Sequence, residues 1–178
     1  MGGNVFLVGM MGAGKTTLGR ALARRLGREF IDTDRLLVER TGVPVTTIFE
    51  IEGEDGFRKR ESALLREVAA RSGCVVATGG GAVLAAENRD AMRRAGTVIY
   101  LRARLESLWE RLRHDATRPL LATADPRATL AAILEERDPL YREAAHLVVD
   151  TGAQAASTLV NRVVTALRRH EEAVGRAS

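Results

Sequence analysis

The chain has 178 residues, 46% of them apolar and 28% charged, which suits one globular domain and excludes a fibrous or disordered polymer. Its 27 Lys and Arg against 23 Asp and Glu leave a formal charge of +4. The basic residues are interleaved with acidic ones, and only Lys15 and Lys59 are lysines, so the balance suits an enzyme of anionic ligands and argues against a nucleic-acid partner.

The N-terminus is apolar up to Lys15, without the basic start of a signal peptide, and Phe6 breaks the myristoylation pattern. The uncharged stretch 74–86 holds three consecutive glycines and falls short of the ~20 residues a membrane span needs. Cys74 is the sole cysteine, which fits a reducing compartment and a small buried hydrophobe. The expectation is a cytoplasmic protein with no membrane anchor, forming a single domain over 1–178.

In chain order, the apolar run 4–8 (NVFLV) predicts a buried strand, followed by a Gly-rich turn. Leu18, Leu22 and Leu26 recur at helical spacing, and Gly27 can close that helix. Residues 30–33 predict a second strand. A helix over 53–71 would carry Phe57, Leu64, Leu65 and Val68 on one side. Residues 74–78 (CVVAT) predict a third strand, residues 85–94 a helix and residues 97–101 (TVIYL) a fourth strand.

Leu105, Leu108, Trp109 and Leu112 follow the i, i+3, i+4, i+7 rule of a helix. Residues 113–126, polar and with two prolines, predict a mobile loop. A helix over 129–143, a fifth strand over 146–149 and a final helix striped by Leu159, Val160, Val163, Val164 and Leu167 complete the chain. Fraying is expected from His170. Alternating strands and helices predict an α/β, doubly wound fold: a five-stranded parallel sheet flanked by helices, of P-loop NTPase and nucleoside monophosphate kinase type.

Gly9-Met10-Met11-Gly12-Ala13-Gly14-Lys15-Thr16 satisfies the G-x-x-x-x-G-K-[ST] pattern between a strand and a helix, the context that gives this motif its meaning. Glycines let successive N–H groups turn inward as an anion nest, and the helix N-terminus adds its positive dipole end. Gly12, Ala13, Gly14, Lys15, Thr16 and Thr17 are therefore the expected ATP-binding residues. Lys15 would reach the β- and γ-phosphates, and the Thr16 hydroxyl would ligate Mg²⁺.

Many phosphate-loop proteins add a magnesium-linked acid at the end of a later apolar strand. Here the strand 74–78 ends in glycines, so Asp32 and Asp34 in Phe30-Ile31-Asp32-Thr33-Asp34 are the candidates. On a strand, residues i and i+2 share a face, which would aim both carboxylates into the crevice beyond the strand ends. One would hold magnesium through water, and the other would accept a hydroxyl proton. The alternative is that Asp34 only caps the next helix.

Arg58 and Glu61 lie three apart on a helix and can pair, which would hold the guanidinium as a rigid fork for a carboxylate; an ordinary surface ion pair is the alternative. Gly79, Gly80 and Gly81 permit close backbone approach to a ligand. Arg118 sits in the long polar loop, where a closing lid would bring it over the γ-phosphate. Arg137, taken alone, reads as a cation beside a helix C-terminus.

Blocks 9–20 (GMMGAGKTTLGR), 30–34 (FIDTD), 48–61 (IFEIEGEDGFRKRE), 78–83 (TGGGAV), 118–121 (RPLL) and 137–141 (RDPLY) resemble the shikimate kinases, in that family's order and across nearly the whole chain. The resemblance implies that ATP and shikimate give ADP and shikimate 3-phosphate, on the route to chorismate and the aromatic amino acids. It implies a monomer with a shikimate-binding region at about 33–61 and a lid at about 112–124.

Carried over, Asp34 would be the base, with Lys15 and Arg118 the other catalytic groups. Arg58, Arg137 and the backbone of Gly79, Gly80 and Gly81 would hold shikimate, with Phe49 and Phe57 packed on it. Thr16 and Asp32 would serve magnesium. Arg118 would contact phosphate and Arg111 would lie against adenine; a second adenine contact falls loosely on 152–154.

Without the resemblance, the residues point to a phosphotransferase with a small hydroxyl acceptor. A gluconate kinase would share the phosphate loop, but the Arg58–Glu61 pair and the glycine triplet argue against it. A nucleoside monophosphate kinase would need a base-recognition pocket, which the sequence does not locate. A phosphate-loop nucleic-acid binder would lose affinity steeply with salt.

Overall fold

The apolar runs all pair in parallel. In the computed structural model, which describes residues 3–177, β1 (Asn4–Val8), β2 (Glu29–Asp32), β3 (Cys74–Ala77), β4 (Gly96–Arg102) and β5 (Leu147–Asp150) form one sheet in the order β2-β3-β1-β4-β5. The helices are α1 (Lys15–Leu26), α2 (Thr33–Thr41), α3 (Val45–Ala69), α4 (Ala86–Ala95), α5 (Leu105–Leu112), α6 (Pro126–Ala144) and α7 (Ala156–Ala177).

Val5, Phe6, Leu7 and Val8 are all fully buried. Because successive side chains on a strand point to opposite faces, the sheet is covered on both sides, as a parallel sheet must be. One helical group is α1 with α7, packed on β1–β3 and β5; the other is α4 with α6, packed on β4 and joined by α3. The connection from β1 leads to β2 on one side and that from β3 leads to β4 on the other. The chain therefore reverses direction at β1, where ligands enter sheets of this kind.

Several expected boundaries move. β2 ends at Asp32, so Asp34 lies in the first turn of α2 and not on the strand. Asp32 is the cap: its Oδ1 accepts from the Arg35 N–H at 3.2 Å, a role the sequence had offered to Asp34. The helix expected over 53–71 is only the second part of α3, which starts at Val45 and breaks at Gly53, where φ is 71° and ψ −178°.

Arg137 is 3% exposed inside α6, well short of Ala144, so the reading of it as a helix-terminal cation is wrong. The expected fraying from His170 is absent as far as Ala177, the last described residue. Glu171 reaches Arg28 at 3.9 Å, and the His170 ring lies 5.3 Å from that of His146, tying this turn to the body. The loop 113–126 contains a 3₁₀ turn at Pro119–Leu121, with Leu121 buried. Among the described residues, no helix is long and apolar enough to cross a membrane.

Leu22 is fully buried on α1, the helix that carries the phosphate loop at its start. Leu22→Ala is expected to lower stability by ~2–5 kcal/mol, seen as a lower urea midpoint at unchanged slope.

Candidate active site

The turn from β1 into α1 needs left-handed backbone at Gly12 (φ 78°) and Gly14 (φ 93°), which residues with a Cβ rarely adopt. Lys15, the first residue of α1, is buried and folds back, its Nζ donating to the carbonyls of Gly9 at 2.6 Å and Met10 at 2.8 Å. Burial disfavours the ammonium and lowers the Lys15 pKa to about 8, although Asp34 pulls it upward. The Thr16 hydroxyl donates to Asp32 Oδ2 at 2.7 Å, joining the loop to the end of β2. Arg111 on α5 donates to the Gly12 carbonyl at 2.7 Å.

These groups line a cavity of about 740 Å³ that contains every expected nucleotide residue, from Gly12 to Thr17 with Arg111 and Arg118, and both Asp32 and Asp34. Thr151 and Gln154 also line it, which places the stretch 152–154 at its edge.

A second, smaller cleft opens where β3 ends. It is lined by Asp34, Phe49, Phe57, Arg58, Gly79, Gly80, Gly81, Arg118 and Arg137, so every expected acceptor residue is present. None of the three glycines has φ in the left-handed region, and Gly81 sits at φ −96° and ψ 4°, a conformation open to other residues. What requires glycine is space. A Cβ on Gly79 would lie 2.6 Å from Glu61 Oε2 and 2.8 Å from Asp34 Oδ1. One on Gly80 would lie 3.4 Å from Arg137 Nη1, and one on Gly81 would run into the Arg58 guanidinium.

Arg58 and Glu61 pair at 2.9 Å, and with side chains 20% and 4% exposed they do not form the surface ion pair offered as an alternative. Glu54 braces Arg58 from its other side at 3.4 Å. The guanidinium lies 5.2 Å from the Phe57 ring centroid, and Phe57 packs against Phe49 at 4.7 Å. Three buried atoms here lack partners among the described residues: Arg58 Nε, Glu61 Oε2 and Arg137 Nε. Burial raises the pKa of Asp34, helped by Asp32, and burial likewise raises that of Glu61.

The two cavities share the walls Met11, Asp34, Val45, Gly80 and Arg118, so they are halves of one crevice. Arg118 reaches it from the loop 113–126, where its Nε donates to Asp115 at 3.2 Å. Two participants escaped the sequence reading. Glu61 had been seen only as the partner of Arg58, yet it lines the cleft. Thr33 is buried with its hydroxyl accepting from the Gly79 N–H at 3.2 Å; its place between the two aspartates was the available signal.

The family profile described as shikimate kinase matches residues 11–168. The shikimate kinase of Bordetella pertussis is 60% identical over 168 residues, covering 94% of this chain and 80% of that protein. That of Nitrosospira multiformis is 54% identical over 165 residues, covering 93% and 85%. Among solved structures, the shikimate kinase from Acinetobacter baumannii in complex with shikimate matches with a TM-score of 0.93 at 44% identity, over 95% of this chain and 94% of that one. A gluconokinase from Sinorhizobium meliloti matches at 0.64 with 21% identity, over 99% and 97%, a likeness of fold alone.

The depressed Lys15 pKa carries a pH signature. In the free protein the ammonium loses its proton as pH rises through about 8, whereas bound phosphates favour the charged form. ATP binding at pH 8.5 is therefore expected to take up protons, measured by titration calorimetry in buffers of different ionisation enthalpy. Binding heats that do not depend on the buffer would contradict this account of Lys15.

Proposed function

The chain belongs to the shikimate kinase family, and on that premise we propose that it transfers the γ-phosphoryl group of ATP to a ring hydroxyl of shikimate, giving ADP and shikimate 3-phosphate. The observation that carries this reading is the shared wall at Asp34. On one side lies a phosphate loop; on the other, the buried Arg137 and the partly buried Arg58, whose Nε atoms lack partners among the described residues, line a small cleft. A planar carboxylate on the acceptor suits two guanidinium forks.

In this reading Asp34 accepts the proton of the attacking hydroxyl as the new O–P bond forms and the bond to the β-phosphate oxygen breaks. Its raised pKa makes it a better proton acceptor than a solvated aspartate. Lys15 and Arg118 hold the charge that develops on the transferring group. Arg58 and Arg137 bind the acid, Phe49 and Phe57 pack on the ring, and the backbone of Gly79, Gly80 and Gly81 approaches the ligand. Arg111 lies against adenine.

Thr16 and Asp32 present adjacent oxygen donors, a set that fits Mg²⁺ shared with substrate phosphates. When bound, such an ion neutralises phosphate charge. Residues 33–61 form the acceptor-binding region, and 112–124 form the lid. Pro119 and Leu120 also line the acceptor cleft, whose free volume is about 60 Å³, so the lid must move outward to admit a ring acid. We take the enzyme to act as a monomer in the cytoplasm, where the single Cys74 stays reduced.

Coupled ADP-release kinetics with shikimate, gluconate and nucleoside monophosphates tests the assignment, and turnover is expected with shikimate alone. A preference for gluconate would overturn it. Asp34→Asn is expected to lower kcat by ~10²–10⁴, and near-normal turnover in that variant would remove Asp34 from the mechanism.

A further inference from the structure

Tyr141 stands on α6, four residues beyond Arg137, with its side chain wholly buried. Its hydroxyl donates to the carbonyl of Gly80 at 2.5 Å and lies 3.6 Å from the sulfur of Met10 in the phosphate loop. The Arg137 guanidinium acts on the same hydroxyl. The ring is clamped from behind by Tyr100, stacked at 4.9 Å, whose own hydroxyl donates to Asp138 at 2.7 Å. The position of this one oxygen is thus fixed by the core.

The peptide between Gly80 and Gly81 is trans, so its C=O and N–H point in opposite directions. A carbonyl drawn toward Tyr141 turns the Gly81 N–H the other way. That N–H has no hydrogen-bond partner among the described residues, although Gly81 is buried and lines the acceptor cleft. A buried backbone donor without a partner is rare and calls for one. Thr33 performs the corresponding service at the other end of the triplet by fixing the Gly79 N–H.

We propose that Tyr141 is a positioning residue for acceptor binding: by holding the Gly80 carbonyl it locks the Gly80–Gly81 peptide plane, so that the Gly81 N–H is a preset donor to the acceptor. The inference rests on the function proposed above. It assigns to the hydroxyl a role beyond filling the core, and it predicts an effect confined to the acceptor.

Tyr141→Phe keeps the ring and its stack on Tyr100 but frees the Gly80 carbonyl. The expected result is a KM for shikimate raised about tenfold, the worth of one lost hydrogen bond, with the KM for ATP within twofold of wild type. Tyr100→Phe, which removes the hydrogen bond to Asp138 but keeps the ring stacked on Tyr141, should leave both values unchanged. A Tyr141→Phe enzyme with normal KM for shikimate, or with both KM values raised alike, would overturn the proposal.

A second test needs no variant. In the wild-type protein the Gly81 amide proton should move downfield on saturation with shikimate, and an unmoved resonance would also overturn the proposal. Failure of the underlying reading is distinguishable, because the wild-type enzyme would then release no ADP with shikimate.

Discussion

Residues 79–81 carry no side chains, and the space this leaves is filled by the carboxylates of Asp34 and Glu61 and the guanidinium of Arg58, with Arg137 just beyond. Taking four charged groups out of water is costly unless they neutralise one another. Here two acids meet two bases, yet the balance stays incomplete. Both carboxylates are held at raised pKa, and three polar atoms lack partners among the described residues. Such residual dissatisfaction marks a place built for a ligand rather than for stability. In the proposed function, an acid with hydroxyl groups would supply what is missing: acceptors for the arginines and a proton for Asp34.

The sheet decides where this happens. Three parallel strands, β1, β2 and β3, end at one edge, and their ends supply the phosphate loop, Asp32 and the glycine triplet. The two cavities therefore open into one crevice from two sides and share Asp34 as a wall; in the proposed reaction nucleotide and acceptor meet there. Arg118, Pro119 and Leu120 line the smaller cleft from a loop, whereas Arg58, Glu61 and Arg137 line it from long helices; in the proposed function, closure of that loop would keep water from competing for the γ-phosphate.

Much of this was legible in the sequence. The five strands and the phosphate loop announce themselves through apolar runs and glycine spacing, which are local signals. The aspartate pair was found for a partly mistaken reason. Asp32 and Asp34 do share the crevice, but Asp34 reaches it from a helix turn that Asp32 itself caps. The break at Gly53 was unreadable because a single left-handed glycine looks the same in sequence as one tolerated within a helix.

Arg137 was read as terminal, yet α6 runs on past it, through Pro139, to Ala144. The glycine triplet was read as permitting close backbone approach to a ligand; in the fold the room it leaves is first taken up by side chains of the chain itself. The need for that room arises from side chains 18 or more residues away in sequence, which no local pattern reveals. Tyr141 was invisible for the same cause: its partner Gly80 lies 61 positions earlier.

The central claim is that empty space at the triplet seats the acid-binding charges, and calorimetric titration of shikimate into Gly81→Ala tests it most directly. Alanine is compatible with the backbone at this position, so any penalty must come from displacing Arg58. The account predicts that shikimate affinity falls at least about tenfold, or ~1.4 kcal/mol, while ATP binds as in the wild type. A folded Gly81→Ala protein with undiminished affinity for shikimate would contradict it.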